Sequence, residues 1–168
     1  MEQPTLICDA APVGIEAIND RYGMAGLDRC RSAEILLPAD ISGVTVLRCH
    51  PAAVDPIRML FERIHESQLW HCLERIDGPF VVEGRSGIFP PQLLLTSWGA
   101  GFKLNERENR FQVIPPKDMP AHTPADLQPG RVFYASHPIV EIAQALGFTW
   151  GGENKVTPFP ALFEYGRY

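Results

Sequence analysis

The sequence predicts an α+β fold, a small, mostly antiparallel sheet with helices packed on it. Three observations carry this prediction. Ile57, Leu60, Phe61 and Ile64 follow an i, i+3, i+4, i+7 spacing that makes one apolar stripe along a helix. Short apolar and β-branched runs occupy the middle of the chain. A second helical stripe at 139–146 is followed by a last short run, Leu162-Phe163-Glu164-Tyr165. Helices early, strands in the middle and one helix with one strand late is an α+β pattern.

The first helix is predicted at 12–22. Pro12 sits in its first turn, Ile15 and Ile18 share a face, and Gly23 closes the end. Ile35-Leu36-Leu37 reads as a short strand or a packed loop stopped by Pro38, and Val44-Thr45-Val46-Leu47 as a strand bounded by Gly43. The clearest helix starts at Asp55-Pro56, where Asp55 can cap free amides and Pro56 fits the first helical position. Ser67 is placed to cap a second short helix carrying Leu69, Trp70 and Leu73. Phe80-Val81-Val82 and Leu93-Leu94-Leu95-Thr96 read as strands, with 101–104 pairing beside the latter and 161–165 joining the same sheet. Residues 106–130, with five prolines, read as a long loop. Pro138 opens a helix with Ile139, Ile142, Ala143 and Leu146 on one face. Gly147 ends it in the left-handed conformation, and Phe148 packs back.

Composition bounds the function. The chain has 168 residues, a length that suits one domain. Residues 1–54 read as an N-terminal segment of unassigned role packed on the body at 55–168. An apolar fraction of 45% with 21% charged residues is that of a folded chain, and 14 Gly with 16 Pro imply many turns. Twenty acidic against 15 basic residues give a net charge of −5, which argues against nucleic acid as a partner, since phosphate neutralisation needs a basic face. No apolar run approaches the ~18 residues of a membrane span. Met1-Glu2-Gln3-Pro4 lacks a basic-then-apolar signal, so cytoplasmic synthesis without a signal peptide is expected. Cys8, Cys30, Cys49 and Cys72 show no CxxC spacing and are expected to be reduced and buried.

Two segments stand out together. One is Thr96-Ser97-Trp98-Gly99-Ala100-Gly101-Phe102-Lys103-Leu104-Asn105. The other is Leu146-Gly147-Phe148-Thr149-Trp150-Gly151-Gly152, followed by Ala161-Leu162-Phe163-Glu164-Tyr165. Their order, spacing and aromatic punctuation resemble the M15 zinc peptidases, the family of D-Ala-D-Ala carboxypeptidases and L-alanyl-D-glutamate endopeptidases. The resemblance spans roughly residues 55–168 and places Arg85 where that family carries an arginine. It implies a zinc site with a histidine two residues before Trp-Gly, an aspartate further on and a histidine just before Phe-Glu. On this chain those positions hold Thr96, Lys103 and Leu162, so the metal ligands are replaced. A catalytic zinc needs three N, O or S protein ligands and an open water position. Glu164 stands where the family has its general base, without a metal-polarised water to act on. Lys103 can fill the vacated pocket by pairing with Glu164, or it can point to solvent.

Other chemistry finds less support. His50, His65, His71, His122 and His137 show no metal-ligand spacing, and Ser97 and Ser136 lie in no Gly-x-Ser-x-Gly elbow. Gly151-Gly152 lacks the lysine and spacing of a phosphate loop. The resemblance therefore implies a catalytically inactive peptidase-like protein, acting as a binding or structural component, with no cofactor. Its partner would be a protein or a cell-wall peptide, bound beside Arg85, Trp98, Lys103 and Trp150. The setting it implies is a phage or prophage component, such as a tail part or virion protein. Two alternatives stay open: an active zinc-dependent, endolysin-like peptidoglycan peptidase, and a cytosolic peptide- or protein-binding module.

Overall fold

The computed structural model of the chain describes residues 10–23, 32–80, 93–109, 132–155 and 158–166. Its helices are α1 (Ile15–Tyr22), α2 (Val54–Glu66) and α3 (Pro138–Ala145). Its strands are β1 (Ala33–Ile41), β2 (Val44–Cys49), β3 (Ile76–Asp77), β4 (Gly101–Leu104), β5 (Thr149–Trp150) and β6 (Leu162–Glu164). β1 and β2 form a two-stranded antiparallel ribbon. The others form an antiparallel sheet in the order β3-β4-β6-β5. Small antiparallel sheets with helices packed on them make this a mixed helix-and-sheet fold, as the sequence predicts.

The stripe on α2 is buried throughout: Ile57, Leu60, Phe61 and Ile64 are all sealed from solvent. Each such burial contributes about 1.5–3 kcal/mol. The Phe61 ring lies 5.4 Å from that of Phe102 on β4, so the helix sits on the sheet. Pro56 falls in the first turn, where its missing N–H has no partner to lose. Asp55 is no cap. It lies inside the first turn and binds Arg58, while His50 Nδ1 accepts the Ala52 N–H at 3.1 Å and caps the 3₁₀ turn Pro51–Ala53 leading into α2. Ser67 ends α2 instead of starting another helix, because its N–H reaches back to Arg63 O; Trp70–Cys72 is a single 3₁₀ turn.

α1 ends at Gly23, at φ +70, whose N–H donates to Asn19 O. Its buried face is Ile18 and Tyr22, four apart, and Ile15 is 46% exposed instead of sharing that face. The Tyr22 hydroxyl donates to Tyr165 O at 2.9 Å, and α1, β1 and β2 contribute to the same hydrophobic core as the later elements. Pro38 does not stop β1. The β1–β2 register shifts between Leu36 and Ile41, and Pro38 falls in that irregular stretch, where a strand tolerates a residue without an N–H.

The strand expected at 93–96 is not formed. Leu95–Trp98 closes as a 3₁₀ turn, held by Gly99 N–H to Thr96 O and Ala100 N–H to Leu95 O. Gly99 has φ +74, and a Cβ there would strike the Phe80 ring. β4 therefore pairs with β3 and β6, and β3, a two-residue strand, was not predicted. Phe80 itself lies in a turn at φ +68. Val81, Val82, Arg85, Cys8, Cys30, His122 and residues 110–130 of the predicted loop lie outside the described residues.

α3 opens at Pro138 as predicted, with His137 Nδ1 accepting the Ile139 N–H. Gly147, at φ +89, and Phe148 return their N–H groups to Gln144 O and Ala143 O. The Phe148 ring packs on Phe102 and Tyr165. The buried face is Ile139, Val140 and Ala143, with Ile142 and Leu146 only partly covered. Among the described residues no helix is long and apolar enough to cross a membrane.

Candidate functional site

β4 and β6 pair Gly101 with Glu164, Phe102 with Phe163 and Lys103 with Leu162. Opposed residues of an antiparallel pair share a face, and neighbours along a strand alternate. Phe102 and Phe163 therefore face the helices, their rings stacked at 6.0 Å and 11°. Gly101, Lys103, Leu162 and Glu164 share the opposite face, with Asp77 of β3 and Thr149 of β5 flanking them in register.

The Leu95–Trp98 turn covers that face. The Leu95 N–H donates to Glu164 Oε1, and a Cβ at Gly101 would sit 3.0 Å from Thr96 N and 3.3 Å from Glu164 Cγ. Glycine at 101 is what lets the turn lie so close. Thr96, Lys103, Leu162 and Glu164 are thus gathered on one side of the sheet although they span 69 residues of chain, and all four are buried. Lys103 Nζ meets Glu106 Oε1 at 3.2 Å and lies 5.2 Å from the centre of the Phe159 ring. The contacts described for Lys103 are therefore with Glu106 and Phe159, and Glu164 serves as an acceptor for the turn.

The remaining candidates fall elsewhere. Trp150 pairs with Phe163 and so lies on the core face, away from Glu164; its Nε1 donates to Pro160 O. Trp98 Nε1 donates to Gly23 O. Both indoles are about 95% buried and use their N–H groups internally. Arg85 lies outside the described residues.

Sequence reasoning missed Asn105, which follows β4 at φ +48 and is fully buried. Its Oδ1 accepts the N–H groups of Glu74 and Arg75, and its Nδ2 donates to Cys72 O. Its backbone O accepts Asn109 Nδ2, and Asn109 Oδ1 in turn accepts the Phe133 N–H. The one local signal was an asparagine directly after a strand, since asparagine tolerates the left-handed region.

Among the described residues, four histidines make local contacts and two cysteines are buried. Through Nδ1, His50 caps the 3₁₀ turn before α2 and His137 caps α3, and the His65 ring stands edge-on to Trp70. His71 Nδ1 lies 2.8 Å from Gln68 O; a carbonyl only accepts, so Nδ1 carries the proton and Nε2 faces Cys72 Sγ at 3.6 Å. Burial raises the Cys72 thiol pKa and pushes that of Cys49 up to about 12, so neither is a thiolate nucleophile at neutral pH.

A hydroxyl, an ammonium and an alkyl chain stand at the mapped ligand positions. Among the described residues no group of three or more His, Cys, Asp or Glu is arranged to hold a metal ion. No protein family, curated protein or solved structure matches the chain.

Proposed function

We propose that the chain is a catalytically inactive, peptidase-like protein that works as a binding or structural component. The observation that supports this reading is the filled β4–β6 face. Lys103, with Glu106 and Phe159 as neighbours, and Leu162 occupy positions that the peptidase resemblance assigns to metal ligands, and Glu164 accepts the Leu95 N–H. A buried ammonium repels a divalent cation, and a carboxylate already serving the backbone lacks the polarised water that hydrolysis requires. The setting carried by the resemblance is the bacterial cell wall as a phage meets it, with a tail-like assembly or a wall peptide as the partner.

Metal analysis after dialysis against trace zinc, run beside a cleavage assay on peptidoglycan stem peptides, tests the reading. The expected result is less than a tenth of a zinc per chain and no cleavage. One zinc per chain, with cleavage that a chelator abolishes, overturns it in favour of an active peptidase.

A further inference from the structure

We propose that the outer edge of β3 is a docking site for an extended peptide segment of another protein, received in a groove that the β1–β2 turn completes. This goes beyond the reading above and uses a different surface.

β3 is the end strand of its sheet. Asn105 N–H bonds to Arg75 O, and Asp77 stands opposite Lys103, so the ladder alternates across Ile76. Ile76, opposite Leu104, then occupies the non-hydrogen-bonded position and turns its N–H and C=O away from β4. No described strand takes up that edge. A groove of about 480 Å³ lies there, lined by Glu74–Asp77, by Ile41, Ser42 and Val44, and by Arg107 and Glu108. That volume falls within the ~300–1,000 Å³ of ligand sites and far exceeds a packing defect.

The turn wall is fixed in place. Ser42, at φ +48, donates its hydroxyl to Glu74 O, and the Gly43 N–H returns to Asp40 Oδ1. The groove thus offers a donor–acceptor pair from one backbone residue beside the half-buried side chain of Val44, while Ile41 is sealed from solvent. That combination suits an extended strand, whose main chain supplies the hydrogen bonds and whose alternate side chains meet the wall. Asp77 is bonded by Arg75 at 2.8 Å, and Arg107 has no partner among the described residues. Glu74, Asp77 and Glu108 against Arg75 and Arg107 leave the lining one negative charge in excess. The net charge of the whole chain is −5, so the occupant is a neutral or basic segment.

The test is selection of a displayed random heptapeptide library on the intact protein, followed by titration of the enriched peptides made synthetically. The expected outcome is a set of neutral or basic peptides of alternating apolar pattern. N-methylation of one backbone nitrogen should weaken binding at least tenfold. Ile76→Pro should do the same by removing the outward N–H while keeping the bonds to β4. Because that variant can fail to fold, Val44→Arg, at a half-buried lining position, is a second block, checked by an unchanged melting temperature. Three outcomes overturn the proposal: no peptide is enriched; N-methylation and Val44→Arg both leave affinity unchanged; or the protein is a dimer that Val44→Arg dissociates, which would make a second copy the occupant. None of these bears on zinc binding or cleavage, so the proposed loss of catalysis stands or falls separately.

Discussion

Glu164, on β6, accepts the backbone N–H of Leu95, 69 positions earlier in the chain. The bond anchors the Leu95–Trp98 turn over Gly101. A buried acceptor of this kind matters mainly through the donor it leaves behind when removed.

Glu164→Ala should therefore cost about 2 kcal/mol, or ~4–8 °C in melting temperature for a chain of this size. Glu164→Gln keeps an oxygen acceptor and should lose less than half of that. Thermal unfolding followed by circular dichroism measures both. Equal melting temperatures for wild type and Glu164→Ala would show that the turn does not depend on the bond.

Asn105 gathers the ends of three segments. Asn105→Ala strips the acceptor from the Glu74 and Arg75 N–H groups and the donor from Cys72 O, and leaves a β-carbon at φ +48. A loss of roughly 3–4 kcal/mol is expected. Asn105→Asp retains the acceptor, and Asn105→Gly relieves the backbone alone, so urea midpoints should rank Asp above Gly and Gly above Ala. The reverse order of Gly and Asp would assign the residue's value to its backbone angle.

Cys49 sets an alkaline limit. Its folded pKa is raised by burial from 9.0 to about 12, so the folded state holds the thiol proton where the unfolded chain has lost it. The stabilisation is complete below pH 9 and declines as pH rises from about 9 to about 12, by ~1.4 kcal/mol per pH unit. Burial of Tyr22 raises its phenol pKa as well and steepens the same fall. Cys49→Ala should flatten the decline between pH 9 and 10.5 in urea titrations. Native protein should resist alkylation at Cys49 at pH 8 and react once unfolded.

Restoring donors tests the mapped face. Lys103 and Leu162 are opposed on neighbouring strands, with Cα atoms ~4.5 Å apart at a non-hydrogen-bonded pair, and Thr96 lies over the adjacent Gly101. The triple variant Thr96→His, Lys103→Asp, Leu162→His should bind zinc and gain several degrees in melting temperature on its addition, as any ligand of the folded state does. A variant that folds and shows no zinc-dependent shift would mean that the backbone at these positions lacks ligand geometry.

The parts of the fold legible in the sequence are those governed by near neighbours. The α2 stripe was readable because residues three and four apart share a helical face, and α3 because Pro138 and Gly147 act on the backbone where they stand. β2, β4 and β6 were readable as short apolar runs between glycines and turns. The Leu93–Thr96 run had the same composition and formed a turn instead, because Gly99 and Gly101 let the chain fold back over β4. At the candidate site, the shared face of Thr96, Lys103, Leu162 and Glu164 followed from motif order. The contacts of Lys103 with Glu106 and of Glu164 with the Leu95 N–H did not, since those groups carry no pattern that points to them.

By itself the sequence determined α2 and α3, the mixed helix-and-sheet class, the acidic charge and the residues at the mapped ligand positions, all properties of composition and local spacing. The tertiary structure alone decided which polar groups are buried and what satisfies them. Glu164 becomes an acceptor for Leu95, and Asn105 joins Cys72, Glu74 and Arg75. The physical reason is that a buried polar group must find its partner in space, and in a sheet of short strands that partner lies tens of residues away, at a register only packing can fix.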